Sequence, residues 1–508
     1  MSVSMEGVPM GSDMPWFKGP PHSNPFSHLA DIHLDGIGAC HSAALFPWTH
    51  SSLQTLWAGD LDKANFRDGW KEMIDEWSGT IAVGGTGALR VFSTDPSREA
   101  LSVRLPVSPN RQGEVEPVSV RAVAWALCQQ ILFEPLVVMS GGACLYVVNV
   151  KRRKIVGYLR GHGGEITSIA VHPFFVHLLC TTSRDFSTRI YDLTQSPCQT
   201  PNNLHWPPSK APSLGGAPHG LQASEPEGIG IGRCVAVLVG GPSGGHNAAV
   251  LGAAFHPMYP LIATCGLDRA VKIWRLPDLS GERMAREDKP LFSSSRIHKA
   301  RILSVNWLSP DVLVTHSAPA IMRVKDQIHE VYYVDGTIVL WQWLGFDRFF
   351  PPDQTRPARI MRGCASDYQE SSSFKLLSVV PIPQSTKHLH VSQTYTGDYI
   401  LFLTLPKTLR FFNVASLPPR EPPRFPLDAD AIEDLATKLR LDDDDEVEEL
   451  PKAAPQFDKW EIDIAADAEE SFQLCVSGFG GLVLVAGTTE GNVRIWGATK
   501  GKETHPSP

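Results

Sequence analysis

Short apolar stretches separated by turn residues recur along the chain, and this pattern favours β-strands over helices. The clearest unit starts at His246 and continues through an apolar stretch to a His-Pro turn at His256. A second apolar stretch follows, then Asp268, and Trp274 closes the alternating run Val-Lys-Ile-Trp six residues later. Alternation places every second side chain on the same face of a sheet. The unit therefore predicts strands that pack in layers.

Three further copies keep the spacing of six residues between an acid and an aromatic, and two of them also begin with a histidine. Their residues are His162, Asp185 and Tyr191; His298, Asp335 and Trp341; and Glu490 and Trp496. Weaker copies bring the count to seven. A repeat of this kind is typical of the WD40 β-propeller. We therefore predict an all-β, seven-bladed WD40 β-propeller with blades at about 50–97, 117–158, 160–195, 246–277, 298–344, 372–415 and 468–498.

The repeated residue types have a structural reason. In a propeller blade the histidine, the turn aspartate and the strand tryptophan lie on neighbouring strands and form a buried hydrogen-bonded set. The tryptophan also fills the space to the next blade while its N–H finds a partner. The residues predicted to serve the blades in this way are His162, Asp185, His246, Asp268, Trp274, His298, Asp335, Trp341 and Trp496.

The remaining segments divide the chain into one folded unit and its extensions. We predict a propeller over 26–498, flanked by a disordered N-terminus at 1–25 and a disordered tail at 499–508. Insertions are predicted at 196–233, 318–334 and 416–459. The apolar stretch Leu29–Leu34 could supply the last strand of the seventh blade, and such closure would remove both free edges of the sheet.

Charge and cysteine usage narrow the class of protein. The net charge of −8 is concentrated between Pro426 and Leu450, where eleven acids face two bases, so the folded part is close to neutral. Sequence-specific binding to nucleic acid is therefore not expected. No apolar run is long enough for a membrane span. The nine cysteines are scattered without a C-x-x-C pair, which is typical of reduced thiols in a cytosolic or nuclear protein.

The sequence contains no motif for catalysis. The glycines between Gly228 and Gly245 lack the lysine of a phosphate-binding loop and the strand-turn-helix context of a nucleophile elbow. The histidines occupy the repeated blade positions, so a structural role is favoured over metal binding. We therefore expect no catalytic residue, no metal and no cofactor. The acidic run from Asp442 to Glu449 is more typical of a solvated segment than of a contact with basic proteins.

Blades three to five resemble the Polycomb ESC/EED family more closely than generic WD40 repeats do. The resemblance rests on these stretches: Gly161–Ile166, His172-Pro173 and Ser183–Asp185 in blade three; Cys265–Leu276 in blade four; and Phe292–Lys299 with Val305–Leu308 in blade five. Together these blades cover about a third of the chain. The outer blades resemble the family mainly in order and spacing.

The resemblance implies a core subunit of Polycomb repressive complex 2, located in the nucleus and acting in gene silencing. In that family one propeller face binds a helix of the SET-domain methyltransferase, and the other carries an aromatic cage for trimethyl-lysine of histone H3. Such a cage holds the quaternary ammonium by cation–π attraction. Here Arg121 stands at one cage position, and the candidate aromatics at the other two are Trp57 and Phe374. Ordinary packing is favoured over a ligand role for both.

Three functions remain open at this point. The first is the Polycomb scaffold, with the SET-domain subunit, other Polycomb subunits and a histone H3 tail as partners. The second is a generic WD40 adaptor, such as a ubiquitin-ligase substrate receptor or a trafficking scaffold, because a fold does not decide a function. The third is a propeller enzyme, which would need acids or metal ligands that converge on the central channel. The family-like stretch from Phe292 to Trp307 favours the first.

Overall fold

The chain folds into seven antiparallel blades arranged in a closed ring, as the computed structural model shows. This confirms the predicted seven-bladed propeller. Each blade has four main strands, which we call a to d from the central channel outwards. The structure describes residues 15–18, 24–57, 66–94, 98–105, 108–109, 115–199, 226–240, 244–279, 284–323, 331–351, 364–382, 386, 388–420, 459–464 and 469–498.

The first strand of the chain belongs to the last blade, and blades one to three follow it in order. The strands are β1 (Phe26–His33); β2 (Cys40–Leu45), β3 (Thr80–Gly85), β4 (Ala88–Ser93) and β5 (Leu101–Arg104) in blade one; the hairpin β6 (Ser108–Pro109) and β7 (Val115–Glu116); β8 (Val123–Cys128), β9 (Ile131–Gly141), β10 (Cys144–Asn149) and β11 (Lys154–Leu159) in blade two; and β12 (Ile166–Val171), β13 (Leu178–Ser183), β14 (Thr188–Asp192), β15 (Gly228–Gly230) and β16 (Arg233–Leu238) around blade three.

Blades four to seven complete the ring. Their strands are β17 (Val250–Phe255), β18 (Leu261–Gly266), β19 (Val271–Arg275) and β21 (Phe292–Ser294); β22 (Ile302–Trp307), β23 (Val312–Ser317), β24 (Ala320–Arg323), β25 (Val331–Val334), β26 (Gly336–Trp343) and β27 (Phe374–Ile382); β28 (His388–Gln393), β29 (Tyr399–Thr404), β30 (Thr408–Asn413) and β31 (Trp460–Asp463); and β32 (Phe472–Gly478), β33 (Val483–Thr488) and β34 (Asn492–Ala498). Strand β20 (Ala285–Glu287), in the c–d connection of blade four, pairs in parallel with β16 at the outer edge of blade three. The α-helices are α1 (Ser52–Leu56), α2 (Phe66–Trp77), α3 (Phe346–Phe349) and α4 (Ala365–Tyr368).

The antiparallel order of the strands defines two faces. Because neighbouring strands run in opposite directions, the b–c and d–a connections lie at one end of the blades, which we call the first face. The a–b and c–d connections lie at the other end, the second face. The hairpins β6–β7 and β24–β25 therefore lie on the first face, and α1, α2 and α3 lie on the second. Helix α4 lies on the outside of blade four, against β21.

Strand β1 closes the ring. It pairs antiparallel with β34 from Phe26 opposite Ala498 to His33 opposite Asn492, so the N-terminal strand becomes strand d of blade seven. The predicted contribution of Leu29–Leu34 is correct in kind, although the strand starts earlier and ends at His33. This pairing covers the outer edge of β34 and gives blade seven its fourth strand.

The expectation of a disordered segment over 1–25 is wrong for its described part. Residues Trp16–Lys18 form a 3-10 helix, and Phe17 is buried. The Trp16 ring lies 5.0 Å from Phe26 and 5.3 Å from Trp460, between centroids. Aromatic side chains remove much apolar surface from water, which explains why so short a segment is held. Residues 1–14, 19–23 and 499–508 lie outside the described part of the chain.

Blade one starts earlier than the predicted 50–97. Its strand a is β2, and the long a–b connection contains α1 and α2 before β3 begins. The apolar side of α2 packs into the core between blades one and two through Trp70, Met73 and Ile74. The sequence pattern missed β2 because the two helices separate it from β3 by far more residues than the repeat predicts.

The insertions have different structures. The described end of 196–233 supplies β15, which adds to the outer strand of blade two. Segment 318–334 contains the hairpin β24–β25, placed between strands b and c of blade five. The short helical pattern from Ala431 and the acidic run from Asp442 lie outside the described residues.

Candidate functional site

Blade four brings its three predicted residues into one buried hydrogen-bond chain. The Nδ1 atom of His246 lies 2.9 Å from a carboxylate oxygen of Asp268, and its Nε2 atom lies 2.8 Å from the hydroxyl of Thr264. A carboxylate only accepts, so Nδ1 carries the proton and Nε2 accepts from Thr264. The indole N–H of Trp274 donates to the same hydroxyl oxygen at 2.8 Å. Strands b and c and the loop before strand a are thereby joined.

The pKa values of His246 and Asp268 are typical of residues that stabilise a fold. Burial lowers the pKa of His246 and keeps the imidazole neutral. Burial also acts to raise the pKa of Asp268, but its interaction with His246, which donates a hydrogen bond, and two backbone N–H groups outweigh burial and hold that pKa at about 2. Asn247 and Ala270 donate the backbone bonds. The carboxylate is fully used and offers nothing to a ligand.

Blade three repeats the arrangement with a tyrosine in the tryptophan position. His162 contacts Asp185 at 2.9 Å through Nδ1 and Thr181 at 2.6 Å through Nε2. The Tyr191 hydroxyl bonds to the same threonine. A smaller aromatic with a polar tip therefore supports the same hydrogen-bond chain.

Blade five departs from the prediction at Asp335. The Nδ1 atom of His298 bonds to the hydroxyl of Thr337 at 2.9 Å, and its Nε2 atom bonds to Thr315 at 2.7 Å. Asp335 is half-buried at the end of the β24–β25 hairpin, and no bond to His298 is present among the described contacts. The hairpin replaces the tight b–c turn, so the turn acid no longer reaches the histidine. The prediction that Asp335 completes this set is wrong.

The two remaining tryptophans serve packing. Trp341 is fully buried and stacks on Phe292 with centroids 5.3 Å apart, but its indole N–H has no partner among the described residues. Trp496 in blade seven is 5% exposed and contacts Phe472 edge-on at 6.2 Å. Glu490, the acid six residues before it, is exposed. The acid–aromatic spacing therefore marks strand c reliably but a hydrogen-bond chain only in blades three and four of the described structure.

The structure does not bring the two cage candidates together. Trp57 is 6% exposed, ends α1, and packs edge-on against Trp70 with centroids 5.3 Å apart. Phe374 starts strand d of blade five and packs against Phe292 and Trp341. The two rings belong to separate hydrophobic cores, one at blades one and two and the other at blades four and five. The two rings therefore do not form a common cage in the described structure.

An ion cluster occupies the first face beside the channel mouth. Glu165 pairs with Arg121 and also with Arg184, whose Nε atom lies 3.3 Å from the carboxylate. Both arginine side chains are about half exposed. His41 lies nearby, and burial and the charge of Arg121 lower its pKa. The position of the expected cage aromatic is thus a cationic group.

The central channel is a cavity of about 710 Å³ lined by strand a of every blade. The described lining contains Arg121, four histidines and several serine, threonine and asparagine side chains, and none of the described lining residues is acidic. The histidines are His41, His316, His388 and His390. Sequence reasoning assigned none of these histidines a role, because they come from strands of three different blades that only the closed ring brings together at the axis.

An aromatic strip runs across the second face from blade three to blade five. His172 lies 4.8 Å from Phe175 and 5.2 Å from Phe255, between ring centroids. Farther on, Tyr259 contacts Phe346 of α3 at 5.0 Å. We call this set, with His256, the second-face strip. Its His-Pro turns were predicted, but its continuity depends on α3, whose apolar residues carry no repeat signal.

The described residues contain no group of three or more histidine, cysteine, aspartate or glutamate side chains placed to hold a metal ion. All nine cysteines are free thiols. In the same part of the chain, no helix has both the length and the apolar character needed to cross a bilayer.

Comparison with known proteins finds WD40 repeats in part of the chain. The family model of the WD domain, G-beta repeat, matches residues 153–192 and 232–275. The chain is 25% identical over 270 residues to the Polycomb protein EED of Chaetomium thermophilum, covering 52% of this chain and 38% of that protein. It is 28% identical over 171 residues to the Polycomb group protein FIE1 of Zea mays, covering 33% and 29%. The matches thus span well under half of either relative.

The fold comparison covers nearly the whole chain. A chain of the Chaetomium thermophilum Polycomb repressive complex 2 bound to GSK126 superposes with a TM-score of 0.58 at 16% identity, covering 93% of this chain and 98% of that one. A chain of an active Polycomb repressive complex 2 in the basal state gives a TM-score of 0.54 at 17% identity, covering 94% and 99%. At these identities the likeness concerns the fold.

Proposed function

We propose that this chain is a non-catalytic scaffold subunit of a Polycomb-type histone H3 lysine methyltransferase complex. The premise is that it is a WD40 β-propeller related to the Polycomb EED and FIE proteins. Its partners would be the SET-domain catalytic subunit and other Polycomb subunits, and its place of action the nucleus. The support comes from the named relatives, from the fold shared with chains of Polycomb repressive complex 2, and from one surface.

The observation that carries the proposal is the set of exposed apolar side chains along the second-face strip, most of whose own rings are buried. Around it, Phe175 is 56% exposed, Met258 is 65% exposed and Leu344 is 56% exposed. These side chains lie in a–b and c–d connections of three adjacent blades, beside the rings of the strip. An amphipathic helix binds such a surface by placing its apolar side chains, one turn apart, against it. We propose that a helix of the SET-domain subunit docks here.

Co-expression with the SET-domain subunit of the same species tests the docking surface. The double variant Phe175→Asp, Met258→Asp should reduce recovery of the SET-domain subunit at least about tenfold, because two charges would be buried in the interface. The matched control is Ile321→Asp, Tyr333→Asp, since these residues are 71% and 57% exposed on the first face. Equal recovery with both double variants would contradict docking on the second face.

Recognition of a histone H3 tail on the first face is the finer part of the proposal. Arg121 and Arg184 at the mouth would repel a trimethyl-lysine, and Trp57 is covered by other rings. We therefore expect unmodified and lysine-trimethylated H3 peptides to bind the purified protein with affinities within about threefold of each other. Calorimetric titration measures this ratio, and a strong preference for the methylated peptide would contradict it.

The generic adaptor is the competing class. Purification of the tagged protein from its own nuclei, followed by mass spectrometry, distinguishes the two. A SET-domain methyltransferase among the partners supports the scaffold. A cullin ligase or coat complex without a methyltransferase overturns it and leaves the propeller fold standing.

A further inference from the structure

The central channel is lined by one arginine and by histidine, serine, threonine and asparagine side chains. Its described lining holds Arg121 and four histidines without an acid, in a cavity of about 710 Å³. Volumes between about 300 and 1,000 Å³ are typical of small-molecule sites. At the mouth, Arg121 and Arg184 share the single carboxylate of Glu165, and the remaining positive charge favours an anionic ligand over a cationic one.

Three of the lining histidines have buried ring nitrogens that bond to no described protein atom. His316 is 1% exposed, and neither its Nδ1 nor its Nε2 atom has a partner in the described part of the chain. A neutral imidazole always carries one N–H, so His316 presents an unused donor and an unused acceptor. Buried polar groups are normally hydrogen-bonded. This side chain is therefore available to a polar partner at the channel wall.

His388 and His390 present acceptors. Each bonds through one nitrogen to a backbone carbonyl of strand a in blade seven, His388 to Cys475 and His390 to Ser477. A carbonyl only accepts, so the bonded nitrogens carry the protons. Nδ1 of His388 and Nε2 of His390 have no partner among the described residues. Each of these nitrogens carries a lone pair and can accept a hydrogen bond. Burial lowers the pKa of His388 to about 4 and that of His390 to about 3, so both are neutral at pH 7.

The donors complete the set. Ser304 and Ser477 are lining residues of the cavity, and their hydroxyls are buried without a hydrogen-bond partner in the described structure. Arg121 reaches the mouth, where its positive charge is shared with Glu165. The described imidazoles do not converge as metal ligands would. A ligand that uses all of these groups accepts hydrogen bonds from Arg121, His316 and the serines and donates hydrogen bonds to His388 and His390.

We propose that the central channel binds a small phosphate ester that carries hydroxyl groups, of the sugar-phosphate class. The phosphate lies at the mouth near Arg121, and the hydroxyls bond to His388 and His390 inside the channel. His316 and the two serines donate to the remaining oxygens. This site is separate from the second-face strip, so its existence does not depend on the proposed scaffold function.

Calorimetric titration of the full chain with glucose 6-phosphate, inorganic phosphate and glucose tests the site. Glucose 6-phosphate should bind saturably, at least about tenfold more tightly than inorganic phosphate, and glucose alone should bind weakest, because charge and hydroxyls are both needed. Equal affinity of inorganic phosphate and glucose 6-phosphate would overturn the sugar-phosphate class. Thermal stabilisation by glucose 6-phosphate no larger than that by potassium chloride at equal ionic strength would overturn the site.

Two arginine variants form a matched pair. Arg121→Gln and Arg184→Gln each remove one ion pair with Glu165, but only Arg121 lines the channel. Arg121→Gln should weaken binding of glucose 6-phosphate about tenfold or more, and Arg184→Gln less than about threefold. Equal weakening by the two variants overturns the proposal.

A further variant distinguishes loss of ligand binding from loss of folding. His316→Phe removes both unpaired nitrogens while keeping a ring of similar shape, so the protein should keep or raise its Tm without ligand. Its affinity for glucose 6-phosphate should nevertheless fall about fivefold or more. An unchanged affinity in this variant contradicts the role of His316.

Discussion

At the scale of single residues, the same motif residue makes different contacts in different blades. Asp268 accepts from His246 and from two backbone N–H groups, whereas Asp335 makes no comparable bond among the described contacts. The difference comes from the b–c connection, which is a tight turn in blade four and a hairpin insertion in blade five. A turn acid stabilises a blade only where the turn aims it at the histidine.

Substitution of these two acids provides a direct comparison. We expect Asp268→Ala to lower the free energy of unfolding by about 2–4 kcal/mol, because it leaves buried donors without an acceptor. Asp335→Ala should change it by less than about 0.5 kcal/mol. The midpoint of urea denaturation, followed by tryptophan fluorescence, measures both. Equal shifts for the two variants would show that the hydrogen-bond chain of blade four adds little.

At the scale of elements, the strand that closes the ring is held mainly by one face. In β1, Phe26 is 4% exposed and lies 5.4 Å from Phe411 and 5.0 Å from Trp16, between centroids. Leu29 in the same strand is 50% exposed. Backbone pairing sets the position of the strand, and burial of its aromatic end supplies much of the free energy.

A pair of alanine variants in β1 tests this division. Phe26→Ala should lower the free energy of unfolding by about 3–5 kcal/mol, because it removes a buried aromatic and leaves a cavity. Leu29→Ala, the matched control, should cost less than about 1 kcal/mol. Urea denaturation measures the shifts, and size-exclusion chromatography detects association through an opened edge. A small effect of Phe26→Ala would mean that the ring is closed by backbone pairing alone.

At the scale of the whole molecule, blades three to six share buried histidines that are neutral at pH 7. Burial, the first cause in each, lowers the pKa of His172, His256, His316 and His388 to about 4 and that of His298 and His390 to about 3, from the ordinary 6.5. In the unfolded chain these groups bind protons at higher pH than in the folded protein. Their contribution to stability is therefore present above about pH 6.5 and is lost as the pH falls towards 4–3.

The propeller should accordingly lose stability between about pH 6.5 and about pH 4, and unfolding in that range should take up several protons. Urea denaturation at a series of pH values measures the slope of the free energy of unfolding against pH. His316→Phe removes one of the titrating groups and should have a shallower slope than the natural protein. A flat profile across this range would contradict the assignment of these histidines as neutral.

The sequence by itself determined the class of fold, the number of blades and the buried sets of blades three and four. These follow from local rules: period-two alternation for strands, and a fixed spacing that places an acid in a turn and an aromatic in strand c. His162 with Asp185, and His246 with Asp268, are examples where the turn is short, so sequence distance fixes spatial distance.

Only the tertiary structure decided what lies around the axis and on the faces. The helices after β2, the hairpin that displaces Asp335, and α3 beneath the second-face strip all arise in connections of irregular length, where spacing along the chain no longer predicts separation in space. Trp57 was a cage candidate by position and is a core residue by packing. His316, His388 and His390 reach the channel from strands of blades five and six, and no local pattern brings them together.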